Sequence, residues 1–148
     1  MNKKEPQSNS LGELILVLGA TGKTGRRVAS RLQTLGQPIR IGSRAASPAF
    51  DWTQETSWDA CLKDITSVYV NYPSDLPVLG SRDILSTFVN KAIDYGILRL
   101  VLLSGRGEPE AQAWENIVRS SGLDWTIIRA SWFWQNFSEG AFSWRKVA

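Results

Sequence analysis

Histidine is absent from all 148 residues, which removes the commonest metal ligand and the commonest general base. A single cysteine, Cys61, excludes an internal disulfide, and with no imidazole beside it a zinc site is not expected. Its apolar helical setting marks Cys61 as a buried thiol and not a nucleophile. No apolar run approaches the ~20 residues needed to cross a bilayer, so no membrane association is expected. Repeats and low-complexity runs are missing as well. Residues 1–10 are polar and have no apolar core, which reads as a flexible tail over 1–11 and not as a signal peptide. These absences favour a cytoplasmic chain with one domain over 12–148, large enough to bury roughly two-thirds of its unfolded surface. The formal charge of +3 is scattered and forms no dense basic stripe, so a nucleic-acid partner is not expected. The excess reads as solvation plus a field that favours an anionic ligand. Acids are missing from one long stretch, with none between Glu13 and Asp51.

That acid-free stretch contains the most informative motif. Leu14-Ile15-Leu16-Val17-Leu18 is an apolar run of strand length, and it enters Gly19-Ala20-Thr21-Gly22-Lys23-Thr24-Gly25. A helical pattern follows, with Val28, Leu32 and Leu35 on one face. Strand, glycine turn and helix together build a phosphate cradle. Glycines let the backbone turn tightly and approach a pyrophosphate, whose charge meets the free N–H groups and dipole of the helix start. The spacing is Gly-x-x-Gly-x-x-Gly, not the commoner Gly-x-Gly-x-x-Gly. Two other readings stand beside it. Gly22-Lys23-Thr24 could close a Walker A loop, but that motif needs a glycine at position 17, where the chain has Val17. The turn could also hold no ligand at all.

The second strand, Pro38-Ile39-Arg40-Ile41-Gly42, bears on the choice. In an NAD-binding fold an acid about here, roughly twenty residues past the glycines, would accept bonds from the adenosine ribose. This chain offers Ser43 and Arg44 instead. A guanidinium pairs with phosphate through charge-assisted bonds worth roughly 1.5–3 kcal/mol. The 2′-phosphate of NADP is therefore the preferred ligand, with NAD as the alternative and a merely solvated Arg44 as the plain one.

Further on, Phe50-Asp51-Trp52 reads as a short extended piece. A helix is expected from about 56 or 57 to 63, a strand over 66–72 stopped by Pro73, and a helix over 81–95 closed by Gly96. A strand over 97–103 ends in Ser104-Gly105-Arg106-Gly107. Pro109 starts a helix to 121, and Trp125-Thr126-Ile127-Ile128 is the last strand. Apolar strands alternating with amphipathic helices predict an α/β fold, a Rossmann-like doubly wound parallel sheet. Ligands of such sheets bind at the carboxyl ends of the strands. Gly19, Arg44, Asn71, Tyr72 and Ser104 all fall there.

Several motifs in order resemble the NmrA-like family of atypical short-chain dehydrogenase relatives. They are Gly19 to Val28, Val101-Leu102-Leu103-Ser104-Gly105-Arg106-Gly107-Glu108, Glu115, Ser121 to Arg129, and Trp132-Phe133-x-Gln135-Asn136-Phe137. The resemblance covers about residues 12–142. It implies that Gly19, Thr21, Gly22, Lys23, Thr24 and Gly25 hold pyrophosphate and that Arg44 meets the adenosine end. It also implies that Asn71, Tyr72 and Pro73 line the adenine and ribose path, and that Phe133 to Asn136 lie near the nicotinamide. The family includes NAD(P)H-dependent quinone and azo-dye reductases and catalytically silent redox sensors.

Two departures shape the expected function. A Tyr-x-x-x-Lys pair is absent: Tyr69, Tyr72 and Tyr95 have no lysine four residues on. Some family members carry a lysine where this chain has Ala111. No residue is singled out as catalytic, and hydride donation by the cofactor itself remains, with the protein supplying position and electrostatics. A small electron-poor acceptor of quinone or azo type fits that chemistry. The family also usually continues for about a hundred residues with a substrate lobe, which suggests a truncated product or fragment. Trp132, Phe133, Trp134, Phe137, Phe142 and Trp144 would then lack their cover, and self-association through them is expected. The alternatives to a reductase are a non-catalytic NADP(H)-sensing regulator and an inactive remnant.

Overall fold

Strand and helix alternate along the chain as the apolar pattern predicts. The computed structural model describes residues 13–20, 22–71, 80–107 and 109–130. In order they form β1 (Ile15–Leu18), α1 (Lys23–Thr34), β2 (Ile39–Gly42), a 3-10 turn (Glu55–Ser57) running into α2 (Trp58–Leu62), β3 (Ser67–Asn71), α3 (Ser81–Asp94), β4 (Arg99–Gly105), α4 (Pro109–Arg119) and β5 (Asp124–Ala130). The five strands make one parallel sheet in the order β2-β1-β3-β4-β5. This is the Rossmann-like α/β arrangement. The order reverses at β1, which has β2 on one side and β3 on the other, and that reversal opens a crevice at the carboxyl ends of β1 and β3.

Each face of the sheet packs against a different cluster, while Ile128 of β5 stays 48% exposed. Leu16, Leu18, Val68, Val70, Leu100 and Leu102 point to the side of α2, α3 and α4, where Trp58, Leu85, Phe88, Trp114 and Val118 meet them. Val17, Tyr69 and Leu103 point to the other side and pack with Ala20 and Ala29 of the α1 region. The alternation along β1 assigns its residues to both cores at once, which is why that strand is apolar at every position. Each large side chain buried this way contributes roughly 1.5–3 kcal/mol.

Phe50, Asp51 and Trp52 form no strand, contrary to the extended piece expected there. They are loop, and the two rings join Trp58, Phe88 and Trp114 in an aromatic nest with centroids 5.0–6.2 Å apart. Three hydrogen bonds fix this loop: Trp58 Nε1 donates to the Asp51 carbonyl at 2.8 Å, and the Asp51 carboxylate accepts from Thr53 N–H and Oγ1. Ring packing and these local bonds win over the extended preference. Helix α3 ends as its sequence predicts. Gly96 takes φ +80, its N–H reaches the Ile93 carbonyl at 2.9 Å, and the Ile97 N–H reaches Ala92 at 3.1 Å. Helix α4 stops at Arg119, two residues short of the expected end, and β5 runs on to Ala130. Cys61 is fully buried, its thiol held against the carbonyls of Pro48 and Ala49 and pushed up in pKa by burial.

Candidate functional site

The turn from β1 into α1 sits at the crevice. Gly19 has φ +66, a backbone state that a side chain would strain, and its N–H donates to the Gly42 carbonyl at 3.2 Å. That bond ties the turn to the end of β2. Gly22 N–H donates to the Gly19 carbonyl at 3.0 Å, and the Gly22 carbonyl then accepts from Arg26 N–H at 2.9 Å. A methyl at Gly25 would collide with the Gly19 carbonyl, so the third glycine lets α1 press its first turn directly onto the loop. The helix starts at Lys23 with no side-chain cap and no acid in its first turn. Such a start presents donors and a positive dipole end to an anion.

The neighbouring strand ends complete the border. A Cβ at Gly19 would lie 3.5 Å from Asn71 Cβ, so Asn71, the last residue of β3, lies directly beside the turn. On the other side, Arg44 is exposed in the loop after β2. It contributes to holding the Asp51 carboxyl below its usual range, although the hydrogen bonds from Thr53 act more strongly. Arg40 has a different task. Its guanidinium donates to the carbonyls of Cys61 at 2.8 Å and Lys63 at 2.6 Å, closing the end of α2. The Ser43 hydroxyl is buried without a hydrogen-bond partner. The outer side of α1 carries a shallow groove of about 470 Å³ lined by Arg26, Arg27, Ser30, Arg31 and Thr34, which adds to the positive field.

At the far side of the crevice, Ser104 near the end of β4 is 2% exposed. Its hydroxyl forms no well-shaped hydrogen bond, yet it lies close enough to Glu115 to help keep that carboxylate charged. Glu115 was legible only as part of a family pattern. The structure shows it buried on α4 and gripped by Arg129 of β5, with Nε and Nη2 each 2.9 Å from a different carboxylate oxygen. That pair, aided less strongly by Ser104 and Arg119, holds the Glu115 carboxyl below its ordinary range against the opposing effect of burial. A second link, Ser81 and Arg82 on Glu110, joins the starts of α3 and α4, and nothing in the local sequence pattern announces it.

Of the residues assigned to the site by sequence, the structure gathers Gly19, Gly22, Lys23, Thr24, Gly25 and Asn71 around the turn. Arg44 and Ser104 flank them along the same sheet edge. Thr21, Tyr72, Pro73, Phe133 and Asn136 lie outside the described residues, as do Trp132, Trp134, Phe137, Phe142 and Trp144. Among the described tyrosines neither sits at the crevice with a usable hydroxyl. Tyr69 is 6% exposed, and burial pushes its pKa up to about 12. Tyr95 donates to Asp59 at 2.8 Å, beyond the end of α3. Ala111 is fully buried on α4. No group of three or more His, Cys, Asp or Glu able to hold a metal occurs among the described residues, and no helix there is long and apolar enough to cross a membrane.

The geometry has known counterparts. No family model matches the chain. It is similar to agroclavine dehydrogenase of Claviceps fusiformis, at 28% identity over 84% of this chain and 48% of that protein. It also resembles the uncharacterized oxidoreductase YesF of Bacillus subtilis, at 32% identity over 83% of this chain and 46% of that one. Among solved structures, a short-chain dehydrogenase/reductase superfamily protein of Agrobacterium tumefaciens with bound NAD superposes with a TM-score of 0.63 at 19% identity, covering 79% of this chain and 48% of that one. Citrobacter triphenylmethane reductase complexed with NADP(H) gives 0.66 at 17%, with the same coverages. These two curated relatives are named as a dehydrogenase and an oxidoreductase, and the two solved structures share the chain's Rossmann-like fold. It spans about half the length of the curated relatives it matches.

Proposed function

We propose that this chain is the dinucleotide-binding part of an NAD(P)H-dependent oxidoreductase, with NADP(H) preferred. The observation that carries the reading is the start of α1 at the sheet's switch point. It is free of side chains at Gly19 and Gly22, pressed close by Gly25, and without cap or acid in its first turn. The residues present fit a dinucleotide. Gly19, Gly22, Lys23, Thr24 and Gly25, together with Thr21, would hold the pyrophosphate. Ser43 and Arg44 would take the adenosine end, with Asn71 and Tyr72 along the ribose path. Ser104, Phe133 and Asn136 would serve the nicotinamide side. Relatives that are oxidoreductases, and fold neighbours that carry NAD or NADP(H), support the cofactor class.

The bound cofactor would supply the hydride, and the chain's own residues would bind it, orient it and screen its charge. Neither Tyr69 nor Tyr95 is placed to protonate a carbonyl. This favours an acceptor that solvent can protonate, of the quinone or azo type, and it equally favours the second reading, a regulator that senses NADP(H) without chemistry. Titration of NADPH and NADH against wild type and Arg44→Ala tests the cofactor assignment. Wild type should bind NADPH about tenfold or more tightly than NADH, from one charge-assisted phosphate contact, and Arg44→Ala should erase the difference. Equal affinities in wild type would overturn the preference. NADPH oxidation with and without a quinone separates reductase from sensor.

A further inference from the structure

Glu115 is a carboxylate in an expensive place. It lies 1% exposed on the same buried side of α4 as Ala111, Trp114 and Val118. An apolar residue of similar size would pack there at lower cost, because burying a charge forfeits its hydration. What the carboxylate gains is direction. The Arg129 guanidinium meets it fork to fork at 2.9 and 2.9 Å, and a pair of parallel bonds fixes the relative plane of the two groups as well as their separation. Arg119 approaches the same oxygen Oε2 at 3.6 Å from the next turn of α4. Ser104 stands in register with Arg129 across the β4–β5 pair, one step before that pairing ends at Gly105 and Ala130. One buried carboxylate therefore ties α4 to the carboxyl end of β5, which pairs there with the Ser104 end of β4.

The sheet order gives those strand ends a meaning. Arg44 and β2 lie on one side of the glycine turn, and β3, β4 and β5 lie on the other. A dinucleotide with its phosphates at Gly19–Gly25 and its adenosine at Arg44 carries its second nucleotide toward β4 and β5. The latter lies three strand spacings, about 14 Å, from β1. We propose, resting on the cofactor reading above, that Glu115 is a positioning residue for the nicotinamide half of the dinucleotide: it locks Arg129 and the Ser104 end of β4 into the surface on which that half is laid.

Dissociation constants for NADPH and for adenosine 2′,5′-bisphosphate, which carries only the adenosine end, test this on the full chain. Glu115→Gln keeps the shape and removes the charge. It should weaken NADPH about tenfold while leaving the bisphosphate within about twofold, and Glu115→Asp should recover part of the loss. Equal weakening of both ligands would mean a general structural role and would overturn the proposal, as would no change in either. Should Glu115→Gln fail to fold, Arg129→Lys carries the test, since it removes the fork from the half-exposed partner and keeps the charge. Binding of neither ligand by wild type would refute the cofactor reading and this inference together. Binding of both without the split in the variants would refute this inference alone.

Discussion

Replacing Gly25 by alanine and Gly22 by valine separates two roles that one glycine motif combines. At Gly25 the added methyl meets backbone, not a side chain that could swing away. It would collide with the Gly19 carbonyl oxygen and sit 2.5 Å from its carbon and 3.0 Å from Ala20 Cα. Ordinary contact requires α1 to back off from the turn by about 1.5 Å, with the lost packing that implies. Overpacking of this kind costs about 3 kcal/mol, the upper part of the usual range, because the neighbours are rigid. Alanine returns about 1 kcal/mol through its better helix propensity. The net loss is about 2 kcal/mol, or about 6 °C in Tm for a chain of this size. Gly22 differs. Its φ of −77 and ψ of 173 suit a β-branched residue, and a Cβ would lie 3.3 Å from the Gly19 oxygen, a contact that a small shift relieves. Gly22→Val should therefore stay within about 1 kcal/mol of wild type while its methyls obstruct the approach to the helix start. Thermal unfolding by circular dichroism and NADPH titration, run on both variants, read the two effects. A Gly25→Ala protein as stable as wild type would refute the close-packing argument. A Gly22→Val protein that binds NADPH normally would refute the cradle.

Tyr69→Phe should leave stability unchanged or raise it by about 1 kcal/mol, since the variant deletes a buried hydroxyl that has no partner; a clear loss in chemical denaturation would show that the hydroxyl is bonded. Glu115→Gln should be less stable at neutral pH by about 3 kcal/mol, the low end for a broken buried pair because Arg129 is half exposed. The folded pKa of Glu115 lies below the ordinary 4.5, so its contribution is complete above that value and lost as pH falls through the folded one. The stability gap between wild type and variant should close over that acid range, and a gap independent of pH down to full acid unfolding would contradict it. Cys61 should resist thiol reagents in the native protein and react once urea unfolds it, because it is fully buried with a raised pKa; rapid native labelling would contradict that.

The parallel sheet was legible because β1 is apolar at every position and β3, β4 and β5 carry short apolar runs, and Leu16-Val17-Leu18 cannot serve two cores in any other way. The turn was legible because Gly19 and Gly25 answer local geometric demands, a positive φ and a backbone contact, that only glycine meets cheaply. Phe50 to Trp52 misled for the opposite reason: aromatic residues suit strands, and only the distant Phe88 and Trp114 decide that these two rings pack as loop. The Glu115–Arg129 pair joins residues fourteen apart on a helix and a strand, so neither the spacing nor either residue type reveals that both carboxylate oxygens are engaged. Arg40 lies within the second strand and Arg44 just beyond it. The carbonyls at the end of α2 claim the first and leave the second exposed.

Amide shifts of the labelled protein on titration with NADPH test the central claim most directly. The account predicts saturable changes that are largest at the N–H groups of Gly22 to Gly25, with a second set at Ser43 and Arg44 and smaller ones at Asn71 and Ser104. Changes confined to another surface, or none at NADPH concentrations that saturate ordinary dinucleotide-binding proteins, would contradict it.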